Sequence, residues 1–293
     1  MAAQRTVEEV VASAGPSVVG LAEGARGGSG VVVERGRVLT LARNLRGEEA
    51  SVVFSDGRRE RGSLAGTDAD RGIAVLEVDT GEAPGAPWPD AAQAPVIGAR
   101  VFALADPGGR GLRVTAGAVA SAPQSLRGPR GRLLEGLIEH TAPLPRRSGG
   151  GPLLDGEGRL LGLNAVRLGN GLILALPTAP IRERIADIAT GKPAAQRRLG
   201  VAVVTPRIAR RLRGAVGLPE REGVLVRAVQ EHSPAERAGV ERGDLIVALG
   251  GHEVDSLDAL FAALDAAPLE QPVPLRILRG EREREVEVVL GAS

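Results

Sequence analysis

The first two-thirds of the chain consist of short apolar or alternating segments bounded by glycine, aspartate and proline. Alternation over about four to eight residues is typical of half-buried β-strands, and short apolar runs between turn residues are typical of buried ones. The pattern predicts strands over residues 30–33, 37–41, 51–54, 73–78, 100–105, 112–119, 160–166 and 171–176. Helices are predicted over residues 7–14 and 180–190. Many short strands at this spacing indicate a sandwich or a barrel.

The pattern changes after residues 191–197, a polar segment with glycine and proline that is typical of a linker. Strands are predicted beyond it over residues 199–204, 223–229, 244–249, 273–278 and 285–290, with an amphipathic helix over 255–267. Ser233, Pro234 and Glu236 predict the start of a short helix, because they supply an N-cap, an N1 proline and a capping box. Gly239 ends that helix. We therefore predict a mainly β domain over 1–192, a linker over 193–198 and a small α+β domain over 199–293.

Composition and charge exclude several classes of function. The 37 basic and 36 acidic residues give a net charge of +1, which argues against a nucleic-acid-binding protein. The absence of cysteine excludes disulfides and thiol nucleophiles. No metal-ligand cluster, phosphate loop or dinucleotide fingerprint occurs, so we expect no metal and no cofactor.

Targeting signals are also missing from the chain as given. No segment approaches the roughly 18 consecutive apolar residues that a membrane-spanning helix needs, so no transmembrane segment is expected. The first residues lack the apolar region of a signal peptide. The expected location is the cytoplasm, or the cell envelope if a leader has been removed.

An ordered series of motifs runs through both predicted domains. The first contains Gly28-Ser29-Gly30-Val31-Val32, Phe54-Ser55-Asp56-Gly57-Arg58, Gly66-Thr67-Asp68, Val114-Thr115-Ala116-Gly117 and Gly150-Gly151-Pro152-Leu153-Leu154. The second contains Ser233-Pro234-Ala235-Glu236-Arg237-Ala238-Gly239-Val240, followed by Gly243-Asp244-Leu245-Ile246. In this order and spacing the motifs resemble the HtrA/Deg type of trypsin-like serine protease with one C-terminal PDZ domain. The resemblance implies a mainly β fold, a trypsin-like double β-barrel followed by a small α+β PDZ domain.

The chemistry of that family needs a serine nucleophile, a histidine base and an aspartate that orients the histidine. The resemblance places the histidine at Arg43, at the end of Leu39-Thr40-Leu41-Ala42-Arg43. It places the aspartate at Gly72 and the serine at Gly149. All three catalytic positions are therefore substituted. Arginine stays protonated and cannot act as a general base near neutral pH.

Two further positions depart from the family pattern. In the family, the oxyanion hole uses backbone N–H donors of the serine and of the glycine two residues before it. Arg147 occupies the position of that glycine here, and its Cβ restricts the backbone conformations that glycine can adopt. The strand that lines the specificity pocket carries Ile173, which we expect to fill the space of a substrate side chain.

The alternative interpretation is an active peptidase that uses Ser148, one residue before the nucleophile position. An insertion in the glycine run would bring Ser148 into place. The chain has only three histidines, His140, His232 and His252, and none falls at the position of the base. His140 lies on the strand that leads into the same loop, and the other two lie in the second domain.

PDZ domains bind an extended C-terminal peptide as an added strand and capture its carboxylate with backbone N–H groups. The resemblance assigns the carboxylate loop to Arg198, Leu199, Gly200 and Val201, with Val201 and Val203 on the edge strand. Across the groove, helical spacing brings together Leu257, Leu260 or Phe261, and Leu264. Simple core packing is the other interpretation of these leucines.

The expected function is that of a proteolytically inactive HtrA-like protein. Its PDZ domain would bind protein C-termini or unfolded segments, and the protein would act as an adaptor, regulator or holdase in protein quality control. The resemblance also implies a homotrimer, or a structural subunit that assembles with an active relative.

Overall fold

The computed structural model describes residues 6–22, 27–89, 95–128, 131, 133–189, 198–204, 206–215, 217 and 221–291 of the 293. The chain divides into two compact units, Met1–Lys192 and Pro193–Ser293. Residues 193–197 of the predicted linker lie outside the described residues.

A closed barrel of six antiparallel strands forms the first half of the first unit. Its strands are β1 Val18–Leu21, β2 Gly28–Glu34, β3 Arg37–Leu41, β4 Glu49–Val53, β5 Arg59–Asp68 and β6 Ile73–Glu77. They follow the order β1-β2-β3-β6-β5-β4, and the pairing of β1 with β4 closes the barrel. Fully buried Val19, Val32, Val38 and Leu76 pack together in one cluster of this core. Branched aliphatic side chains favour β-strands, and they fill this core because aromatic residues make up only 1% of the chain.

A second set of strands forms the other half of this unit. These are β7 Arg100–Ala105, β8 Arg113–Ala118, β9 Gln124–Arg127, β10 Leu133–His140, β11 Pro152–Asp155, β12 Leu160–Arg167 and β13 Ile173–Pro177, in the sheet order β8-β7-β11-β12-β13-β10-β9. A bridge between Val119 and His140 joins the end of β8 to β10. The N–H of Thr141 also donates to the Ala118 carbonyl at 3.0 Å. These bonds curl the sheet into a second barrel.

Two helices flank the barrels. Helix α1 spans Val7–Ala14 and begins at a complete capping box, in which Thr6 and Glu9 each accept the other's backbone N–H through their side chains. Helix α2 spans Ala179–Ala189 and packs against β5 and β6. Short 3₁₀ turns cover Gly15–Ser17 and Ala42–Asn44.

The second unit is a sheet with three helices. Its elements are β14 Val201–Val204, α3 Pro206–Ala215, β15 Val224–Val229, α4 Pro234–Arg237, β16 Leu245–Leu249, β17 His252–Glu253, α5 Leu257–Ala266, β18 Pro272–Arg279 and β19 Arg282–Val289. The sheet order is β14-β15-β16-β18-β19, with β17 paired to β16, so β14 is an edge strand. Helix α5 packs against β16 and β17, and Leu260 and Leu264 enter the core.

The predicted mainly β architecture, two barrels followed by an α+β unit, is confirmed, and most predicted strands appear within a few residues of their expected bounds. The predicted ranges did not include β1, β5, β9, β10, β11 or β17. One detail of α4 differs from the expected capping box. Ser233 accepts the Glu236 N–H at 3.2 Å as predicted, but the Glu236 carboxylate accepts the N–H of His232 at 2.6 Å instead of that of Ser233.

A buried carboxylate connects the elements of the second unit. Asp244 is 1% exposed, and its two oxygens accept the Nε and Nη2 groups of Arg279, each at 2.8 Å. The Glu241 N–H donates to the same carboxylate at 2.8 Å. Such a bidentate pair holds two separate elements in a fixed geometry, and its loss leaves a guanidinium without its main partner.

We expect Asp244→Ala to lower the free energy of unfolding of the second unit by about 3 kcal/mol. The matched control is Glu253→Ala, because Glu253 is 76% exposed and pairs with Arg276 at the surface. That control should change stability by less than about 0.5 kcal/mol. Native-state hydrogen exchange at the amides of β16 and β18 measures both variants. Equal effects of the two substitutions would contradict the assigned role of Asp244.

Candidate functional site

The loop that carries Gly149 lies against the first barrel. The Gly149 carbonyl accepts the backbone N–H of Ser29 at 3.0 Å and the side-chain Nδ2 of Asn44 at 2.8 Å. Asn44 is buried at the end of the 3₁₀ turn that follows β3. These two hydrogen bonds tie a loop of the second barrel to the first and position the site between them.

Gly150 is the residue that allows this close approach. Its φ of +91° lies in the left-handed region. A Cβ at this position would stand 2.2 Å from the Ser29 carbonyl oxygen and 2.8 Å from the Thr40 Oγ1. Any side chain would therefore push the loop away from the first barrel. The Gly150 N–H donates to the Asn164 carbonyl at 2.8 Å and ties the loop to β12 as well.

The Arg43 side chain crosses the cleft from the first barrel to the second. Its Nη2 donates a hydrogen bond to the Ala165 carbonyl. The same atom lies 2.9 Å from the point where a Cβ on Gly149 would stand. Partial removal from water in the cleft lowers the pKa of Arg43 below its ordinary value. The guanidinium thus occupies the space beside Gly149, the predicted nucleophile position.

Gly72 supplies only backbone groups to the site. It has a φ of +70°, its carbonyl accepts the Ala42 N–H at 2.9 Å, and its N–H donates to the Asp68 carbonyl at 2.8 Å. The nearby Asp68 carboxylate is 3% exposed and accepts the N–H groups of Asp70 and Arg71 and the Arg71 Nη1. The Asp68 carboxylate therefore forms these hydrogen bonds within its own turn.

Ser148 and Arg147 have unusual environments. Ser148 is 4% exposed, and its Oγ has no hydrogen-bond partner among the described residues. Arg147 adopts a left-handed φ of 67° in spite of its Cβ. This conformation costs about 1 kcal/mol or more for a residue of this type. Arg147 thus has a backbone conformation that glycine would adopt without strain.

His140 is the histidine nearest to this loop along the chain. It is fully buried, and its Nε2 lies 2.9 Å from the Asn164 Oδ1. The Asn164 Nδ2 donates to the carbonyls of Gly151 and Pro152, so Oδ1 is the acceptor and the imidazole carries its proton on Nε2. Burial lowers the pKa of His140 and keeps the ring neutral. No hydrogen bond joins His140 to Ser148.

A cavity of about 470 Å³ opens beside these residues. Ile173 is 4% exposed and lies on its wall, and the expectation that Ile173 fills the space of a substrate side chain stays a prediction. The cavity persists because Ile173 pairs with His140 across β10 and β13 and packs into the core of the second barrel.

Two arginines of this cavity, Arg146 and Arg167, were not singled out from the sequence. Arg146 extends the loop before Arg147, and Arg167 reaches from the end of β12 to donate to the Leu144 carbonyl. The sequence feature that could have identified Arg146 is the pair of adjacent arginines, Arg146 and Arg147, immediately before the glycine-rich loop. The approach of Arg167 depends on the curvature of the barrel.

In the second unit, Gly200 shapes the loop that precedes the edge strand. Gly200 has a φ of +77°, and a Cβ there would meet the Ser233 Cβ at 2.2 Å. The carbonyls of Leu199 and Gly200 accept the N–H groups of Ala235 and Gln230, each at 2.8 Å. No described residue accepts the N–H of Leu199 or of Gly200. These two donors lie beside the half-buried Arg198.

The structure divides the predicted groove residues into two groups. Val201 and Val203 lie half-buried on edge strand β14. On α5, Leu257 and Phe261 are half-buried, while Leu260 and Leu264 are 3% and 5% exposed and belong to the core. Core packing is therefore the correct interpretation for Leu260 and Leu264, and the groove assignment of Leu257 and Phe261 stays a prediction.

No described group of His, Asp or Glu side chains is arranged to hold a metal ion. None of the helices in the described ranges is long and apolar enough to cross a membrane.

Known proteins resemble this chain in sequence. The family model of the trypsin-like peptidase domain matches residues 28–163, and the PDZ domain model matches residues 225–279. "Putative serine protease HhoA" of Synechocystis sp. is 30% identical over 275 residues, 89% of this chain and 69% of that protein. "Probable periplasmic serine endoprotease DegP-like" of Halomonas elongata is 30% identical, over 90% of this chain and 56% of that protein. The chain spans about half the length of that relative and of two Rickettsia proteins with the same name.

Solved structures share the fold over the whole chain. "HtrA-type protease AlgW with decapeptide" has a TM-score of 0.75, with 99% of both chains covered and 22% identity. The serine endoprotease from Yersinia pestis has a TM-score of 0.71, with 100% of both chains covered and 22% identity. Sequence and architecture together show that this chain belongs to the HtrA/DegP family of trypsin-like serine proteases with a C-terminal PDZ domain.

Proposed function

We propose that the first unit does not hydrolyse peptide bonds and that the protein acts by binding polypeptides. The observation that carries the proposal is the position of Arg43. Its Nη2 stands 2.9 Å from the Cβ position of residue 149, where the family's nucleophile and base would meet. A permanently protonated group at this point cannot accept a proton from any hydroxyl.

The remaining catalytic functions lack their groups as well. Gly149 offers no nucleophile, and Gly72 offers no carboxylate to orient or stabilise an imidazolium. The Asp68 carboxylate, four residues before Gly72 in this turn, is occupied by Arg71 and two backbone N–H groups. Acyl transfer by this mechanism needs all three parts acting as a unit.

The competing proposal, an active peptidase that uses Ser148, rests on the unpaired Oγ of that residue. A serine hydroxyl needs a base within hydrogen-bond reach to become nucleophilic. His140 is neutral, but its Nε2 is bonded to Asn164, and it makes no contact of this kind with Ser148. The geometry therefore favours the inactive form.

The second unit supports a role in binding. Edge strand β14 can accept an added peptide strand, and the N–H groups of Leu199 and Gly200 are available for a terminal carboxylate. Leu257 and Phe261 would face an apolar C-terminal side chain. We propose that the unit binds protein C-termini or extended unfolded segments, which suits an adaptor, a regulator or a holdase.

Proteolysis is tested with a fluorophosphonate probe and a casein digestion assay. We expect no labelling and no digestion by the full chain, because no hydroxyl in the cleft has a base. Gly149→Ser should stay unlabelled for the same reason, since Arg43 stands beside it. Trypsin serves as the positive control. Labelling that disappears in Ser148→Ala would establish the competing proposal in place of ours.

Binding to the second unit is tested with a short peptide that ends in valine, as the free acid and as the amide. We expect the free acid to bind roughly tenfold more tightly or better, because amidation removes the charge that the Leu199 and Gly200 N–H groups recognise. Calorimetry with the full chain measures both affinities. Equal affinity of acid and amide would count against the proposal.

A pair of variants locates that binding. Phe261→Ala should weaken the free acid about tenfold, because it removes apolar surface from the groove. Val289→Ala is the matched control, since Val289 is 43% exposed on β19 at the opposite edge of the sheet. Its affinity for the peptide should equal that of the unchanged chain.

A further inference from the structure

The cavity beside Gly149 carries a concentration of positive charge. Four arginines, Arg43, Arg146, Arg147 and Arg167, line its wall. We propose that this cleft binds a carboxylate side chain, that of glutamate or aspartate, in an extended acidic segment of a partner polypeptide. The proposal rests on the proposed function in one respect: an inactive cleft holds such a segment without cleaving it.

The first support is that these charges are uncompensated. None of the four guanidiniums forms an ion pair with a carboxylate of the described residues, and no described lining residue is acidic. Several other described arginines do have acidic partners: Arg58 with Glu60, Arg71 with Asp68, Arg159 with Asp155, and Arg279 with Asp244. Unpaired cations in one cavity repel one another, and an anion removes that cost.

The second support is the hydrogen-bonding capacity that is left over. Arg43 and Arg167 each use an Nη2 group on a backbone carbonyl, of Ala165 and Leu144 respectively. A guanidinium has five N–H donors, so both keep donors for a ligand. These carbonyl bonds also hold the two side chains in place, which reduces the ordering cost of binding.

Ser148 adds a neutral donor to the same wall. Its residue is 4% exposed, it lines the cavity, and its Oγ has no described partner. A buried hydroxyl without a hydrogen bond is costly, and it would gain an acceptor if the side chain turned toward a carboxylate in the cavity. The site therefore combines guanidinium forks with a hydroxyl, a donor set suited to an oxyanion.

The rest of the lining points to an organic carboxylate. Leu144, Val166 and Ile173 give the cavity apolar walls, and Leu144 and Ile173 are 5% and 4% exposed. Methylene groups of an acidic side chain would cover these surfaces while the carboxylate meets the arginines. Inorganic phosphate has no apolar part to place there. A volume of about 470 Å³ accommodates a side chain with part of its backbone.

The test uses two neutral-ended peptides, acetyl-Ala-Val-Glu-Val-Ala-amide and its glutamine counterpart, with the full chain in a calorimeter. Amidation keeps the second unit from capturing a terminal carboxylate, so this experiment is separate from the PDZ test. We expect the glutamate peptide to bind about tenfold more tightly at low salt, with the difference shrinking as NaCl is raised. Equal binding of the two peptides would overturn the proposal.

Matched variants assign the effect to the cleft. Arg146→Gln combined with Arg147→Asn should remove most of the preference for glutamate, and asparagine tolerates the left-handed backbone of residue 147. Arg43→Gln should do the same. Arg35→Gln is the control of equal charge, because Arg35 lies in the turn at the far end of the β2–β3 hairpin. A preference that Arg35→Gln lowers as much as the others would contradict a specific site.

Two further readings complete the experiment. Binding of inorganic phosphate with no preference between the peptides would show a site for small anions only and would overturn the proposal. Mass spectrometry of the recovered glutamate peptide distinguishes a failure of the proposed inactivity from a failure of the proposed carboxylate site. Intact peptide with a glutamate preference supports both, whereas cleaved peptide refutes the inactive cleft and not the recognition of the carboxylate.

Discussion

The site depends on the two hydrogen bonds that the Gly149 carbonyl accepts from Ser29 and Asn44. They fix a loop of one barrel on the other, and Gly150 makes the approach sterically possible. Because these contacts use backbone groups and the Asn44 amide, they do not depend on the side chains of residues 43, 72 and 149. The framework is therefore compatible with the inactive cleft that we propose.

The residues at positions 43 and 149 are physically coupled. Gly149 leaves room for the Arg43 guanidinium, which reaches across to the Ala165 carbonyl. A serine at 149 would require Arg43 to move. Together with Arg146, Arg147 and Arg167, Arg43 gives the cleft a wall that carries positive charge and no described acidic residue. We propose that these residues leave the cleft without a nucleophile and make it a site for an anion.

Local sequence was sufficient for much of the fold. Apolar alternation located strands such as β3 and β6, whereas the assignment of Arg43, Gly72 and Gly149 by motif order stays a prediction. Strand β5 was missed because its alternation is broken by a register shift between Leu64 and Gly66. The partner of Arg43, 122 residues away along the chain, and the open space beside Ile173 depend on how the barrels curve, which no local pattern records.

The central claim is that this cleft binds polypeptide without forming an acyl-enzyme. The most direct measurement is exchange of ¹⁸O from labelled water into the terminal carboxylate of a free-acid peptide, supplied in large excess over the amount that the second unit can bind, followed by mass spectrometry. Any acyl-transfer activity incorporates label, even where net cleavage is too slow to detect. The account predicts incorporation equal to that in buffer alone. Incorporation that is catalysed by the chain and abolished by Ser148→Ala would contradict it.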